Sequence, residues 1–125
     1  MEARLTALEE GAMCVALSSG TSAVMYSLIN IMSQGDNFVT ANQLYGGTYT
    51  MFDNILPEYG INSKKVDITD LEAVEAAIDE KTRAIYCETI TNPGLVVADI
   101  SALADIAHSK GCLLYTSDAA DEVLG

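Results

Sequence analysis

Basic residues are scarce in this sequence. Six Lys and Arg stand against 18 Asp and Glu, so the 125-residue chain carries a formal net charge of −12. A surface with that excess of carboxylates repels nucleic-acid phosphates and anionic lipid headgroups. The charge therefore excludes nucleic acid and membrane surfaces as the main partners of this protein.

Long apolar runs are also lacking. The longest, residues 12–17, has six residues, whereas a membrane-spanning helix needs roughly 18–20. The first four residues, Met-Glu-Ala-Arg, do not have the basic stretch and apolar core of a secretory signal. These absences predict a cytoplasmic protein with no transmembrane helix.

Metal-ligating residues are too few for a metal site. His108 is the only histidine, near the end of a predicted helix, and the three cysteines, Cys14, Cys87 and Cys112, lie far apart. Zinc sites need His and Cys at close spacing. We therefore expect no metal, a solvated His108, and reduced cysteines that serve as small core residues.

Apolar residues are abundant and are arranged in alternating blocks. They make up 50% of the chain, with only 9 Gly and 2 Pro, which favours a globular fold. Short apolar runs typical of buried strands alternate with stretches of helical periodicity. This order predicts a three-layer α/β fold, with a mostly parallel sheet covered by helices on both faces. The expected strands are 13–17, 38–41, 61–66 and 84–88; the expected helices are 2–10, 21–32, 48–56, 71–79 (after a capping box at 69–72) and 101–110.

Residues 112–125 do not fit this pattern. A further strand is due after Gly111, but the run CLLYT leads at once into SDAADE, which is too polar to finish a buried parallel strand. The run CLLYTSDAADE also resembles the translated read-through of a sequencing adapter. We therefore expect the domain to occupy residues 1–111 and residues 112–125 to be a non-native tail.

Three segments that follow predicted strands carry residues suited to a ligand, because open parallel sheets bind ligands beyond the carboxyl ends of their strands. Residues 18–22 offer hydroxyls and helix-start N–H groups for a phosphate. Residues 45–48 offer a flat Tyr ring beside two glycines, and residues 88–94 offer the amide of Asn92. Each also has a plain interpretation, as a helix cap, a flexible turn and an Asn-Pro turn. Together the three suggest a planar phosphorylated cofactor.

A family resemblance rests on five segments in matching order: SSGTSA, LYGGTYTMF, LPEYGI, KTRAIYCETITNPGL and DISALADIAHSKG. Over residues 2–111 the chain resembles the Cys/Met-metabolism family of pyridoxal-5′-phosphate (PLP) enzymes. Within that family LYGGTYTMF is most similar to the O-acetylhomoserine sulfhydrylase branch. The resemblance implies part of a fold-type I, aminotransferase-like large domain, from an enzyme whose active sites are shared between the subunits of a homotetramer.

The resemblance also implies residue roles. The backbone of Gly20 and Thr21 would hold the PLP phosphate. Tyr45 would stack on the pyridine ring and take part in proton transfer at the leaving group, and Asn92 would hydrogen-bond the ring's 3′-oxygen. The intact enzyme would release acetate from the small amino acid O-acetylhomoserine and add sulfide or a thiol, giving homocysteine or methionine. A cystathionine or methionine γ-lyase, or a cystathionine γ-synthase, is the alternative within the family.

Two groups that PLP chemistry requires are missing from the sequence. These enzymes need a lysine that bonds the cofactor and a carboxylate that keeps its pyridine nitrogen protonated. The family's lysine lies downstream of the last residue, and its acidic residue aligns with Ser117. The Tyr and Arg that reach the phosphate from a neighbouring subunit lie upstream of Met1. We therefore expect a truncated chain that is inactive by itself. Its four lysines are Lys64, Lys65, Lys81 and Lys110.

Two hypotheses come from other classes of protein. A Rossmann-like module would bind a nucleotide or phosphate through Ser19, Gly20 and Thr21, although the sequence has no G-x-G-x-x-G turn. A non-catalytic fragment with exposed core surface would only associate or aggregate, because a parallel sheet cut midway leaves an open edge.

Overall fold

Helices and strands alternate along residues 1–117, the part of the chain that the computed structural model describes. The helices are α1 Glu2–Leu8, α2 Gly20–Ile31, α3 Gly46–Thr50, α4 Leu71–Ala77 and α5 Ile100–Ser109; the strands are β1 Asn37–Ala41, β2 Asn62–Val66, β3 Thr82–Glu88 and β4 Leu113–Ser117. Helix α3 continues into a π-helical turn, Met51–Ile55, and a 3-10 turn, Leu56–Tyr59.

The four strands form one sheet in the order β2-β1-β3-β4, and every neighbouring pair is parallel. A helical crossover joins each strand to the next along the chain, as parallel pairing requires. Strands β1 and β3 are buried along nearly their whole length, as in a sheet covered on both faces. The predicted α/β class with a parallel sheet is confirmed. None of the helices in residues 1–117 has the length and apolar character of a membrane-spanning segment.

The predicted strand at 13–17 is wrong. These residues lie outside the sheet, and the side chains of Met13 and Val15 are 79% and 63% exposed. An apolar run becomes a strand only where a neighbour pairs with its N–H and C=O groups, and no strand of residues 1–117 lies beside it. Cys14 is accordingly half-buried, not a core residue.

The other two cysteines are core residues, as expected. Cys87 in β3 and Cys112 before β4 are buried and free. Burial raises the pKa of the Cys87 thiol to about 12, with the neighbouring Glu88 charge as a smaller cause. A thiol with so high a pKa stays protonated and is a poor nucleophile, so Cys87 serves packing.

The expectation that the chain after Gly111 is too polar for a strand is wrong for residues 113–117. These residues form β4, which pairs with β3 in register from Ala84↔Leu113 to Glu88↔Ser117. The rings of Tyr86 and Tyr115 stack across this pair, with centroids 5.4 Å apart. That residues 112–125 are a non-native tail stays a prediction, and residues 118–125 lie outside the described part of the chain.

Helix α4 begins one residue later than the predicted capping box implies. Its N-cap is Asp70, whose carboxylate accepts a hydrogen bond from Ala73 N. The N–H and hydroxyl of Thr69 both donate to Asp67 Oδ1, at 3.0 and 2.7 Å. The Thr69 hydroxyl is thus engaged by Asp67, and the carboxylate of Asp70, a stronger acceptor than a hydroxyl, caps the helix instead.

Phe52 lies at the centre of the core between the helical layer and the sheet. Its ring makes edge-to-face contacts with Phe38 of β1 at 4.7 Å and with Tyr86 of β3 at 5.0 Å. All three side chains are almost completely buried. Because Phe52 belongs to the π-helical turn that follows α3, these contacts anchor α3 against the two central strands.

A polar network ties the amino ends of the central strands. Asn37 of β1 donates from Nδ2 to Asp79 Oδ1 at 3.0 Å, and the Thr82 hydroxyl of β3 donates to Asn37 Oδ1 at 2.7 Å. Lys64 Nζ of β2 lies 2.5 Å from Asp79 Oδ2. The hydrogen bond from Lys64, followed by that from Asn37, holds the pKa of Asp79 well below its usual range. Asp79 therefore stays ionised and links β1, β2 and β3 at this end of the sheet.

We expect Phe52→Ala to lower the free energy of unfolding by about 3–5 kcal/mol, because it removes two aromatic contacts and leaves a cavity. Urea denaturation followed by circular dichroism measures the change. Tyr59→Ala is the matched control: Tyr59 is 57% exposed, so its truncation should change stability by less than about 0.5 kcal/mol. Equal effects of the two substitutions would contradict this account of the core.

Candidate functional site

The candidate site lies where the central strands β1 and β3 end. Because the strands are parallel, the chain leaves both of them at the same edge of the sheet, the edge at which open α/β sheets bind ligands. Residues 42–45 follow β1 and residues 89–95 follow β3. Helix α2 packs against α3, which begins directly after Tyr45.

One carboxylate joins the two loops. Glu88, the last residue of β3, is completely buried. Its Oε1 accepts a hydrogen bond from Tyr45 N at 2.7 Å, and its Oε2 accepts one from Asn92 N at 3.1 Å. Two of the predicted site residues, Tyr45 and Asn92, are thereby brought together.

A second contact between the loops lies beside the first. A Cβ atom on Gly94 would overlap the side-chain amide oxygen of Gln43, so the absence of a side chain at Gly94 lets the two loops approach. Thr91 braces the same loop: its backbone N–H donates to Val96 O at 2.9 Å, and its hydroxyl accepts from Val96 N at 3.0 Å. Asn92 is therefore held in an ordered turn.

The Tyr45 ring lies against the start of α3. A Cβ atom on Gly47 would stand only 2.9 Å from Tyr45 Cε1, so a glycine is needed where the ring lies over the backbone. The Tyr45 and Asn92 side chains are both half-buried. A planar ligand could therefore reach the exposed part of the ring and the amide.

The start of α2 offers donors for an anion. Ser19 is the N-cap, and its hydroxyl accepts from Ser22 N at 3.1 Å and lies 2.9 Å from the Ser22 hydroxyl. The exposed residues Gly20 and Thr21 occupy the first turn, where N–H groups have no carbonyl partner within the helix. The helix dipole adds positive potential there. These groups fit a phosphate.

Thr21 lies at a cleft between the start of α2 and the π-helical turn. A cleft of about 240 Å³ separates the start of α2 from the π-helical turn, and no hydrogen bond within residues 1–117 links Gly20 or Thr21 directly to Tyr45 or Asn92. The structure thus joins Tyr45 to Asn92 through Glu88. The start of α2 faces the π-helical turn across the cleft, which neither Tyr45 nor Asn92 lines, so a site that unites all four residues stays a prediction. The cleft is lined by Thr21, Ser22, Met25, Tyr26, Met51 and Ile55.

Three of the four lysines are paired with carboxylates. Lys64 binds Asp79, Lys65 binds Asp53, and Lys110 Nζ lies 2.8 Å from Glu75 Oε1. Lys81 lies in the turn before β3. His108 is exposed in the last turn of α5, as predicted.

Sequence reasoning assigned no role to Glu88. The signal was present: the apolar run Ala-Ile-Tyr-Cys ends in a carboxylate, and a buried carboxylate must find donors or a cation. Its partners lie 43 residues earlier and four residues later in the chain. The distant partner could not be identified from local pattern.

A parallel α/β sheet whose carboxyl-edge loops meet, together with a helix start that offers free N–H groups to an anion, is typical of a phosphocofactor-binding domain. The sequence model of the Cys/Met metabolism PLP-dependent enzyme family matches residues 1–120. This chain belongs to that family, whose enzymes use PLP. Membership favours PLP over the nucleotide of a Rossmann-like module.

Individual relatives agree with this placement. The chain is 46% identical over 117 residues to the homocysteine synthase of Schizosaccharomyces pombe, covering 94% of this chain and 27% of that protein. It is 42% identical to the cystathionine gamma-lyase of Bacillus subtilis, with 94% and 31% covered. The solved O-acetylhomoserine sulfhydrylase of Wolinella succinogenes superposes with a TM-score of 0.89 at 40% identity, covering 92% of this chain and 33% of that one. The chain thus spans about a quarter to a third of the length of these relatives.

We expect Gly47→Ala to displace the Tyr45 ring, since its new methyl group would stand 2.9 Å from Cε1. Gly46→Ala is the matched control, because a Cβ atom there meets nothing within 4 Å. The ring-proton NMR shifts of Tyr45 should change in the first variant and stay in place in the second. Alanine raises the helix propensity of both positions by up to about 1 kcal/mol, but only Gly47→Ala also displaces the ring. Gly46→Ala should therefore stabilise the chain more than Gly47→Ala does. Identical Tyr45 shifts in the two variants would contradict the ring placement.

Proposed function

We propose that this chain is part of a PLP-dependent γ-replacement enzyme that makes homocysteine or methionine from O-acetylhomoserine and sulfide or a thiol. The observation that carries the site is the meeting of the Tyr45 and Asn92 loops on the Glu88 carboxylate. The names of the similar homocysteine synthase and O-acetylhomoserine sulfhydrylase support the substrate and the reaction.

In this proposal the residues bind and orient the cofactor. The N–H groups of Gly20 and Thr21 hold the phosphate at the start of α2. The ring of Tyr45 stacks on the pyridine ring, and the Asn92 amide hydrogen-bonds its 3′-oxygen. PLP, when bound, supplies an electron sink for the reacting amino acid.

Tyr45 has a second proposed role. Its hydroxyl can donate or accept a proton, and a ring stacked on the cofactor holds that hydroxyl close to the bound amino acid. We assign it proton transfer at the acetate leaving group. Met51, which is buried and lines the cleft with Thr21, shields one side of the pocket.

The whole enzyme is proposed as a cytoplasmic homotetramer with shared active sites. The chain described here spans about a quarter of the homocysteine synthase of S. pombe, so catalysis depends on residues beyond it. The lysine that bonds PLP is among them. The chain alone is therefore proposed to be inactive.

The alternatives are a γ-lyase that acts on cystathionine or methionine, and a cystathionine γ-synthase. The similarity to the cystathionine gamma-lyase of B. subtilis supports the γ-lyase as the second candidate. Both candidates would use the same cofactor residues, so they differ in substrate and not in the site described above.

The deciding experiment extends the reading frame in the source DNA and assays the complete enzyme. We expect acetate release from O-acetylhomoserine that depends on sulfide, and little 2-oxo acid from cystathionine or methionine. Tyr45→Phe should lower turnover about 10²- to 10⁴-fold, the range for loss of a general acid or base. Tyr59→Phe, at an exposed tyrosine, should leave turnover unchanged. Preferential release of 2-oxo acid from cystathionine would favour the γ-lyase.

The inactivity of the chain alone has its own test. We expect no stoichiometric, borohydride-reducible PLP adduct on any one lysine. Lys64, Lys65 and Lys110 are paired with carboxylates, and Lys81 precedes the amino end of β3, at the edge of the sheet opposite the candidate site. Peptide mass spectrometry after reduction measures this, with a lysine-free peptide of the same digest as the internal reference. A single lysine labelled to completion, with the label lost in Tyr45→Ala, would overturn it.

A further inference from the structure

We propose that Glu88 is a positioning residue that sets the place of Tyr45 relative to Asn92, so that the ring and the amide face one ligand. The proposal rests on the cofactor site proposed above and adds a residue that neither touches the cofactor nor reacts. It concerns one bidentate contact: Tyr45 N on Oε1 and Asn92 N on Oε2.

The first step concerns the buried charge. Glu88 is completely buried, and none of the ion pairs in residues 1–117 involves it. A buried carboxylate without a cation requires hydrogen-bond donors. The two backbone N–H groups supply one donor to each oxygen. The charge and the two loops therefore hold one another in place.

The second step concerns where regular pairing stops. The β1–β3 ladder ends at Thr40↔Tyr86, short of both site residues. Beyond that pair the two loops leave different strands, and no sheet hydrogen bond fixes one relative to the other. Glu88 lies two residues past the last pair and reaches both loops. It continues the link between β1 and β3 to the point where a ligand would bind.

The third step concerns how the two hydrogen bonds to Glu88 position the side chains of Tyr45 and Asn92. Tyr45 is the residue before α3, and its ring already lies over Gly47. The hydrogen bond that fixes the Tyr45 nitrogen therefore fixes the backbone position from which the ring projects. Fixing Asn92 N does the same for the amide, in a loop braced by Thr91. One carboxylate thus aligns two recognition groups.

Replacing Glu88 with glutamine removes the negative charge and one acceptor oxygen but keeps the size of the side chain, so it tests the hydrogen bonds alone. Glu88→Gln keeps the volume but offers one acceptor oxygen and one NH₂ group, so only one of the two N–H groups keeps its bond. Hydrogen exchange at the Tyr45 or Asn92 amide, or both, should accelerate about tenfold to a hundredfold, the range for losing a hydrogen bond to a charged group. The amide of Ile85, in the middle of β3, should keep its protection. Glu58→Gln, an exposed Glu in the 3-10 turn, is the control and should change none of the three.

NMR-detected exchange on the full chain decides the proposal. Faster exchange at the Tyr45 amide, the Asn92 amide or both, with Ile85 unchanged, supports a positioning role. Unchanged exchange at both amides overturns it, as does an equal acceleration at Ile85, which indicates a purely structural role. If Glu88→Gln does not fold, the test is made on the wild-type chain. Scalar couplings across the hydrogen bonds, from Tyr45 N and Asn92 N to the Glu88 carboxylate carbon, are expected there. Their absence overturns the proposal.

A second arm separates this proposal from the cofactor assignment. Pyridoxal 5′-phosphate is titrated into the wild-type chain and into Glu88→Gln, and the shifts of the Thr21, Tyr45 and Asn92 amides are followed. We expect binding to the wild type and at least tenfold weaker binding to the variant, by loss of the same hydrogen bond. Equal affinity for the two proteins overturns the positioning role. No binding to a wild-type chain whose Tyr45 and Asn92 amides are protected contradicts the proposed function and leaves the Glu88 tie supported.

Discussion

The burial of one carboxylate at the end of β3 is the constraint on which this site depends. Glu88 has no cation partner among the described residues, so its charge is compensated by backbone N–H groups from two loops. Burying the carboxylate removes its hydration, and the hydrogen bonds from Tyr45 N and Asn92 N offset that loss. The carboxylate can therefore be buried only if Tyr45 and Asn92 stand where their N–H groups reach it. A neutral or shorter side chain would relax that requirement.

The two ends of the sheet are stabilised in different ways. At the amino ends, Asn37, Thr82 and Asp79 form a polar network with Lys64 that is partly open to solvent. At the carboxyl ends, the connection is a buried carboxylate with main-chain partners. Side-chain networks tolerate small movements of the backbone, whereas hydrogen bonds to main-chain nitrogens fix it directly. The more rigid connection therefore lies at the carboxyl edge, where open parallel sheets bind their ligands.

The sequence predicts the central strands well because their signal is local. The runs around Phe38 and Ile85 are apolar on both faces, and the structure buries both faces. The same signal misleads at residues 13–17, since an apolar run becomes a strand only where another strand pairs with it. The opposite error occurs at 113–117, where pairing with β3 forms a strand despite the polar residues that follow. Both errors arise from pairing, a non-local property that composition does not contain.

In the candidate site, too, features with a local sequence signal are predictable and non-local contacts are not. Tyr45, Asn92, Gly20 and Thr21 could be proposed because each lies in a segment with a recognisable local motif and a family resemblance. The link between two of them could not, since Glu88 and Tyr45 are 43 residues apart. A general rule nevertheless follows from the physics. An acidic residue that ends an apolar strand, in a chain with few basic residues, must find uncharged hydrogen-bond donors if it is buried, and main-chain N–H groups are the most abundant of these. In a parallel sheet the nearest donors belong to the loops at the carboxyl edge, so such a residue marks where those loops converge.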